Sequence, residues 1–249
     1  MPITRREALG AVVASGSGAL LLHGGLAMAG APGREEARTT AFRPGQHAPR
    51  KLAFEAKKLR GISEKMITSH WENNYGAAIK NLNKVEEELV RITKDTPGFL
   101  VSGLKERELT FTNSIVLHEH YFGNLGGDGK PGGTVAAALA ETYGSLGRWE
   151  EIFRATGASL GGGSGWTVLD WNLHTGALRT YWSGNHTQAL AFGAPLLVLD
   201  MYEHAYQMDY GAAAAKYIDA FMQNVDWQEV DRRFERTAKL GSLFAPPAK

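Results

Sequence analysis

The sequence predicts an α+β protein, with a helical N-terminal part and a C-terminal part that mixes helices with a small sheet. Three observations carry this. Two stretches, from Ile62 to about Arg91 and from about Lys105 to Asn124, repeat apolar residues at three- and four-residue spacing, as a helix with one buried face does. Beyond them, Gly165–Trp171, Leu178–Trp182 and Pro195–Leu199 are short apolar or aromatic runs bounded by turn residues, as strands are. Between the two parts lies Gly126-Gly127-Asp128-Gly129-Lys130-Pro131-Gly132-Gly133, which suits neither helix nor strand and marks the domain boundary.

Composition narrows the function classes. The chain has 249 residues, 43% hydrophobic and 21% charged, enough for one or two domains with a real core. A formal net charge of +1 gives no reason to expect nucleic acid or a polybasic membrane surface as a partner. Cysteine is absent, which excludes disulfides, thiolate metal sites and cysteine nucleophiles.

Residues 1–29 read as an export signal. Arg5-Arg6 precede an apolar run diluted by Gly10, Gly16, Gly18, Gly24 and Gly25, and Ala27-Met28-Ala29 offers a small-x-small cleavage site. So many glycines spoil a membrane span, so no anchor is expected after cleavage. The paired arginines resemble a twin-arginine signal, whose machinery exports folded proteins; an ordinary secretory signal is the alternative. The mature protein is expected in the periplasm or released. Residues 30–50 read as a flexible lead-in, 51–125 as a helical-hairpin domain, 134–236 as the C-terminal domain and 237–249 as a frayed tail.

In the first helix Ser63 is the expected N-cap. Ile67, His70, Asn74, Ala78, Leu82, Val85 and Leu89 share one face, with Glu86, Glu87 and Glu88 on the solvated side. The second helix places Phe111, Ile115, His118, Phe122 and Leu125 together. Each helix therefore carries a histidine where an apolar residue belongs. His120 falls on another face and reads as exposed. The glycine run that follows lacks the Gly-Lys-Ser/Thr ending of a phosphate loop. Thr134–Thr142 and Arg148–Ala155 read as short helices. A hairpin turns at His174-Thr175-Gly176, Pro195–Leu199 is a fully buried strand, and Ala212–Asn224 and Asp226–Phe234 close the chain as helices.

The buried strand ends in Asp200, and His204 follows. A carboxylate there needs a partner, since an isolated buried charge is costly. A shared metal ion is one solution, and an ordinary Asp–His hydrogen bond is another. Adding His70 and His118 makes three imidazoles and a carboxylate, a donor set that suits Mn, Fe or Zn. Taken singly, each histidine reads as easily as a satisfied core residue.

From about Leu52 to Phe234 the sequence resembles the iron/manganese superoxide dismutases. Asp200-Met201-Tyr202-Glu203-His204-Ala205-Tyr206 is similar to that family's Asp-x-Trp-Glu-His-Ala-Tyr signature, and Gly163-Ser164-Gly165-Trp166 to its Gly-Ser-Gly-Trp. Leu117 to Phe122 fits its second helix, and Ile62 through His70 to Asn83 its first. The resemblance implies a helical hairpin packed on an α/β domain with a three-stranded antiparallel sheet. It implies one Fe or Mn ion per subunit, held by His70, His118, Asp200 and His204, and superoxide as substrate. It also implies a homodimer in which Glu203 reaches His204 of the partner subunit, and Trp166 walling the site.

The chain departs from the family pattern in several places. Ala78 stands where the family has a channel tyrosine, and Asn74 where it usually has a histidine. Tyr75 does not replace that tyrosine on an ideal helix, where it lies roughly 140° from His70 at about 100° per residue. Tyr202 replaces a tryptophan beside the metal, and Gln207 a tyrosine that pairs with the histidine lost at Asn74. His186 aligns with the place where manganese members put a glutamine, and is expected to orient the metal-bound solvent. Ser114 occupies the place of the iron members' glutamine and is too short to act alone. The implied reaction is superoxide dismutation. The altered surroundings leave two alternatives: a metal-binding protein with weak or no such activity, or another metal-dependent oxidoreductase.

Overall fold

Ser63 opens the first helix as expected, its hydroxyl accepting from the Met66 N–H at 3.1 Å and filling a donor that a helix start leaves free. The structure, a computed structural model, describes residues 43–188 and 191–243. The expected export signal at 1–29, most of the lead-in (30–42) and the end of the tail (244–249) lie outside the described residues. From Ser63 the helix runs as α1 (Glu64–Ser69), a π-helical turn (His70–Tyr75) and α2 (Gly76–Leu89), and α3 (Gly98–Gly123) returns alongside it.

The π turn changes which residues face inward. Its i→i+5 bonding advances each residue by less than the ~100° of an α-helix. Tyr75 thereby swings back toward the His70 side and is only 1% exposed. The ideal-helix expectation that set it about 140° away is corrected for that reason. Two further expectations change. The second helix starts at Gly98, earlier than Lys105, because Phe99 and Leu100 are helical but 74% and 49% exposed, so no buried stripe marks that turn. Glu86, expected on the solvated face, is buried because residues from outside the helix cover it. Its carboxylate takes the Gly45 N–H and the His47 ring, each at 2.8 Å. Asn83 Oδ1 accepts from the His47 N–H, and Arg50 O accepts from Trp71 Nε1, both at 2.9 Å. Residues 45–50, part of the expected lead-in, thus lie as a strap along the first helix.

In the C-terminal part, α4 (Gly133–Tyr143) and α5 (Leu146–Ala158) precede β1 (Trp166–Asn172), β2 (Ala177–Ser183) and β3 (Gly193–Asp200). The sheet is antiparallel with order β2-β1-β3. Gly176, at φ 64°, supplies the left-handed residue that the β1–β2 turn needs. A short helix α6 (Gln207–Tyr210), then α7 (Ala214–Gln223) and α8 (Trp227–Ala238), complete the chain. No helix among the described residues is long and apolar enough to cross a membrane.

Two contacts position the site. Trp166 lies directly opposite Asp200 in the β1–β3 ladder, so their side chains share a face of the sheet. The buried Asn124, just past α3, accepts from the Val198 N–H at 2.9 Å and donates to the Val198 carbonyl at 3.3 Å. It therefore ties the helix that carries His118 to the strand that ends in Asp200.

One buried carboxyl in the sheet has no such satisfaction. The β1–β3 register shifts between Leu169 and Asp170. There Asp170 is 3% exposed and its Oδ1 has no hydrogen-bond partner. A Cβ at Gly193, on the neighbouring strand, would sit 2.7 Å from its Oδ2. Burial pushes the Asp170 pKa up to about 7, against about 3.9 in an unfolded chain. Its contribution to stability is present below the unfolded value and is lost as pH rises through the folded one. Asp170→Asn is therefore expected to melt higher than the parent at pH 8. The gain is of the order of 2 to 4 kcal/mol, at about 1.36 kcal/mol per unit, and it should vanish as pH falls toward 4. Thermal melts across pH check this; a pH-independent difference would contradict it.

Candidate metal centre

Each histidine and the aspartate reach one point from a different element. His70 is the first residue of the π turn, His118 lies on α3, Asp200 ends β3, and His204 sits in a tight turn at Glu203–Ala205. One potential ligand atom from each lies within 4.8 Å of the others. His70, His118 and Asp200 are 1%, 1% and 0% exposed. The Nε2 atoms of His70, His204 and His118 stand 3.1, 3.2 and 3.7 Å from Asp200 Oδ2.

These contacts do not add up to a self-sufficient hydrogen-bonded cluster. His204 is aligned to hydrogen-bond Asp200, but His70 Nε2, though 3.1 Å from the same oxygen, is not, and it, His70 Nδ1 and His118 Nε2 are buried without a hydrogen-bond partner. Leaving such atoms unpaired costs about 1 to 3 kcal/mol each. Burial lowers the pKa of His70, and lowers that of His118 to about 3, with neighbouring His70 adding to the effect. For Asp200, burial works to raise the pKa, but His204 and His70 outweigh it and hold the carboxyl well below its usual range. At neutral pH the centre thus holds an ionised carboxylate beside neutral His70 and His118, the protonation state in which these groups bind a cation. A single ion would occupy the bare Nε2 atoms of His70 and His118 and offset the Asp200 charge. The residues fit a metal of the Mn, Fe or Zn type.

The surroundings orient these groups. His118 Nδ1 donates to the Ser114 carbonyl at 2.7 Å, with the Ser114 hydroxyl 3.3 Å away, which leaves Nε2 free to face the centre. Trp166 packs edge-on against His118 at 5.0 Å, and its Nε1–H donates to His186 Nδ1 at 3.0 Å. The neutral His186 ring then carries its own proton on Nε2; burial lowers its pKa. The Tyr202 ring stacks on His186 at 4.8 Å and on His204 at 5.3 Å. Tyr121 and Phe122 close the inner side, 5.1 and 5.0 Å from His70.

Of the expected site residues, the structure brings His70, His118, Asp200 and His204 together, with Ser114, Trp166, His186 and Tyr202 around them. Asn74 stays half-buried on the first helix. Glu203 and Gln207 are exposed. His120, expected to be exposed, is half-buried, its Nδ1 donating to the Val116 carbonyl at 2.8 Å. Burial and nearby Arg233 lower its pKa to about 4. Sequence reasoning set Tyr75 aside and gave Glu119 no role. The Tyr75 hydroxyl donates to Glu119 Oε1 at 2.9 Å, and its ring lies 6.2 Å from that of His118. No apolar period announces a π turn, and Glu119 attracts notice only as a charge beside a buried histidine.

Residues 131–233 match the family described as iron/manganese superoxide dismutases, C-terminal domain. The chain is 50% identical to a superoxide dismutase (Fe) of Cupriavidus metallidurans over 184 residues, covering 74% of this chain and 93% of that protein. It is 31% identical to superoxide dismutase (Mn) 1 of Halobacterium salinarum, covering 72% and 89% of the two chains. With a superoxide dismutase (Fe) of Aquifex aeolicus the identity is 32%, covering 74% and 89%.

The orphaned imidazole nitrogens make one outcome measurable on the folded protein. Stripping the metal is expected to lower the unfolding temperature by about 10 °C, the shift for about 4 kcal/mol of linked binding in a chain of this size. Calorimetry of metal-free and metal-loaded protein checks this. Equal unfolding temperatures would contradict it.

Proposed function

Because the chain belongs to the iron/manganese superoxide dismutase family, and is therefore an enzyme that turns superoxide into oxygen and hydrogen peroxide with one iron or manganese ion, we propose its finer workings as follows. His70, His118, Asp200 and His204 hold the ion, His186 orients the solvent molecule beside it, and the ion is iron. The observation that carries this is the convergence of four ligand atoms within 4.8 Å, two of them imidazole nitrogens with no hydrogen-bond partner. The relative with 50% identity, itself named as the iron enzyme, supports iron.

A bound iron or manganese ion would supply the one-electron redox chemistry that dismutation needs. The remaining work is proton supply, since peroxide needs two protons. His186 is suited to it. Its Nδ1 is held by Trp166, so its Nε2–H is the donor left to offer. Ser114 keeps His118 in the tautomer that leaves Nε2 bare. Tyr202, stacked between His186 and His204, fixes the first against the second. Trp166 and Phe122 keep bulk water from the buried ligands.

A twofold dimer belongs to this reading. Glu203 is exposed beside a ligand and has no ion pair among the described residues, which suits a carboxylate that meets His204 of the partner subunit and steadies its imidazole. Export by the twin-arginine route belongs to it too, on the strength of Arg5-Arg6 and the run that follows.

Metal content and superoxide consumption, measured on one sample, test the proposal. The rate is expected to scale with bound iron. Asp200→Ala and His204→Ala should lose the metal. His186→Ala should keep it but slow turnover about 100-fold, the usual weight of a positioned proton donor. Metal retained in the first two variants, or full activity in the third, would refute the assignments.

A further inference from the structure

Arg50 is fastened at three points to residues that flank two of the metal-centre histidines. Its backbone N–H donates to the Tyr75 hydroxyl at 2.9 Å, and its carbonyl accepts from Trp71 Nε1 at 2.9 Å. Its guanidinium pairs with Glu119 Oε2, Nε to oxygen 3.1 Å. The Tyr75 hydroxyl passes its own proton to Glu119 Oε1 at 2.9 Å. Trp71 follows His70 directly, Tyr75 closes the π turn that His70 begins, and Glu119 follows His118. Farther back, Gly45 and His47 hold the strap to Glu86 and Asn83.

A π turn is a sparsely used conformation, and a relaxed α-helix would carry Tyr75 away from Glu119. The contacts that hold it come from residues 45–50 and from α3. We propose that Arg50, Tyr75 and Glu119 form a clamp that locks the π turn and sets His70 against His118, making Tyr75 a positioning residue for metal retention. The clamp rests on the four-ligand reading and adds to it a dependence on a segment N-terminal to the helices. Tyr75 is not one of the four clustered ligand residues; in this clamp it acts through the two imidazoles.

The test is metal release from the full-length iron-loaded enzyme into a chelator, alongside the visible absorption of the bound iron. Tyr75→Phe is expected to release iron about 10-fold faster or more, the usual effect of removing a group that orients ligands, and to shift the absorption band. Arg50→Ala removes only the guanidinium contact, from a side chain that is 78% exposed, leaves the two main-chain contacts in place, and should also speed release, by less than Tyr75→Phe. Glu119→Gln, which keeps an acceptor for Tyr75, should restrain release better than Glu119→Ala. Val135→Ala removes buried methyls on α4, which carries no ligand, and reports a purely structural cost. Release at the parent rate in Tyr75→Phe or Arg50→Ala, or equal acceleration in Val135→Ala, overturns the clamp. A parent enzyme that retains no metal ion at all, iron or manganese, would instead overturn the four-ligand reading.

Discussion

A carboxylate with no access to water, placed among three imidazoles, is the constraint on which the rest of this structure depends. Asp200 is fully buried at the end of β3, and a lone charge there would be prohibitively costly. Two helices deliver His70 and His118, and a tight turn delivers His204. Protein groups alone leave imidazole nitrogens unpaired. A cation resolves the conflict between burial and charge, and in doing so joins the helical hairpin to the sheet. Asn124 makes the same join without metal, through Val198, so the ligands are held near one another before an ion arrives.

Precision at such a centre comes from the groups behind the ligands. Here they divide by side. On the sheet side, Trp166, His186 and Tyr202 form a connected wall, with one hydrogen bond, one tilted ring contact and one stacked face fixing the His186 ring. On the helical side, Ser114 fixes the His118 tautomer, and the Tyr75–Glu119–Arg50 contacts fix the backbone that presents His70. In the proposed reading, the first set handles protons near the substrate and the second determines how firmly the metal is held. The family's channel tyrosine and paired histidine are absent at Ala78 and Asn74, and the aromatic groups present at Tyr75 and Tyr202 occupy different places.

Much of the centre was legible in the sequence because its residues break the local pattern. His70 and His118 interrupt apolar stripes, and Asp200 ends an apolar run, so each stands out against the physics of burial. The strand limits and the hairpin were legible for the same reason: turn residues bracket continuous apolar sequence. Other features depend on partners that periodicity cannot register. Glu86 is buried by a strap from far earlier in the chain, Tyr75 by a π turn, and the start of α3 is helical without a buried face. Each is a case where tertiary contact, not local pattern, decides the outcome.

The most direct measurement is the location of the metal itself, by anomalous scattering at the iron and manganese edges from crystals of the loaded protein. The account predicts one ion about 2 Å from Nε2 of His70, His118 and His204 and from a carboxylate oxygen of Asp200, the usual length for such bonds. An ion elsewhere, or one bound without Asp200, would contradict it.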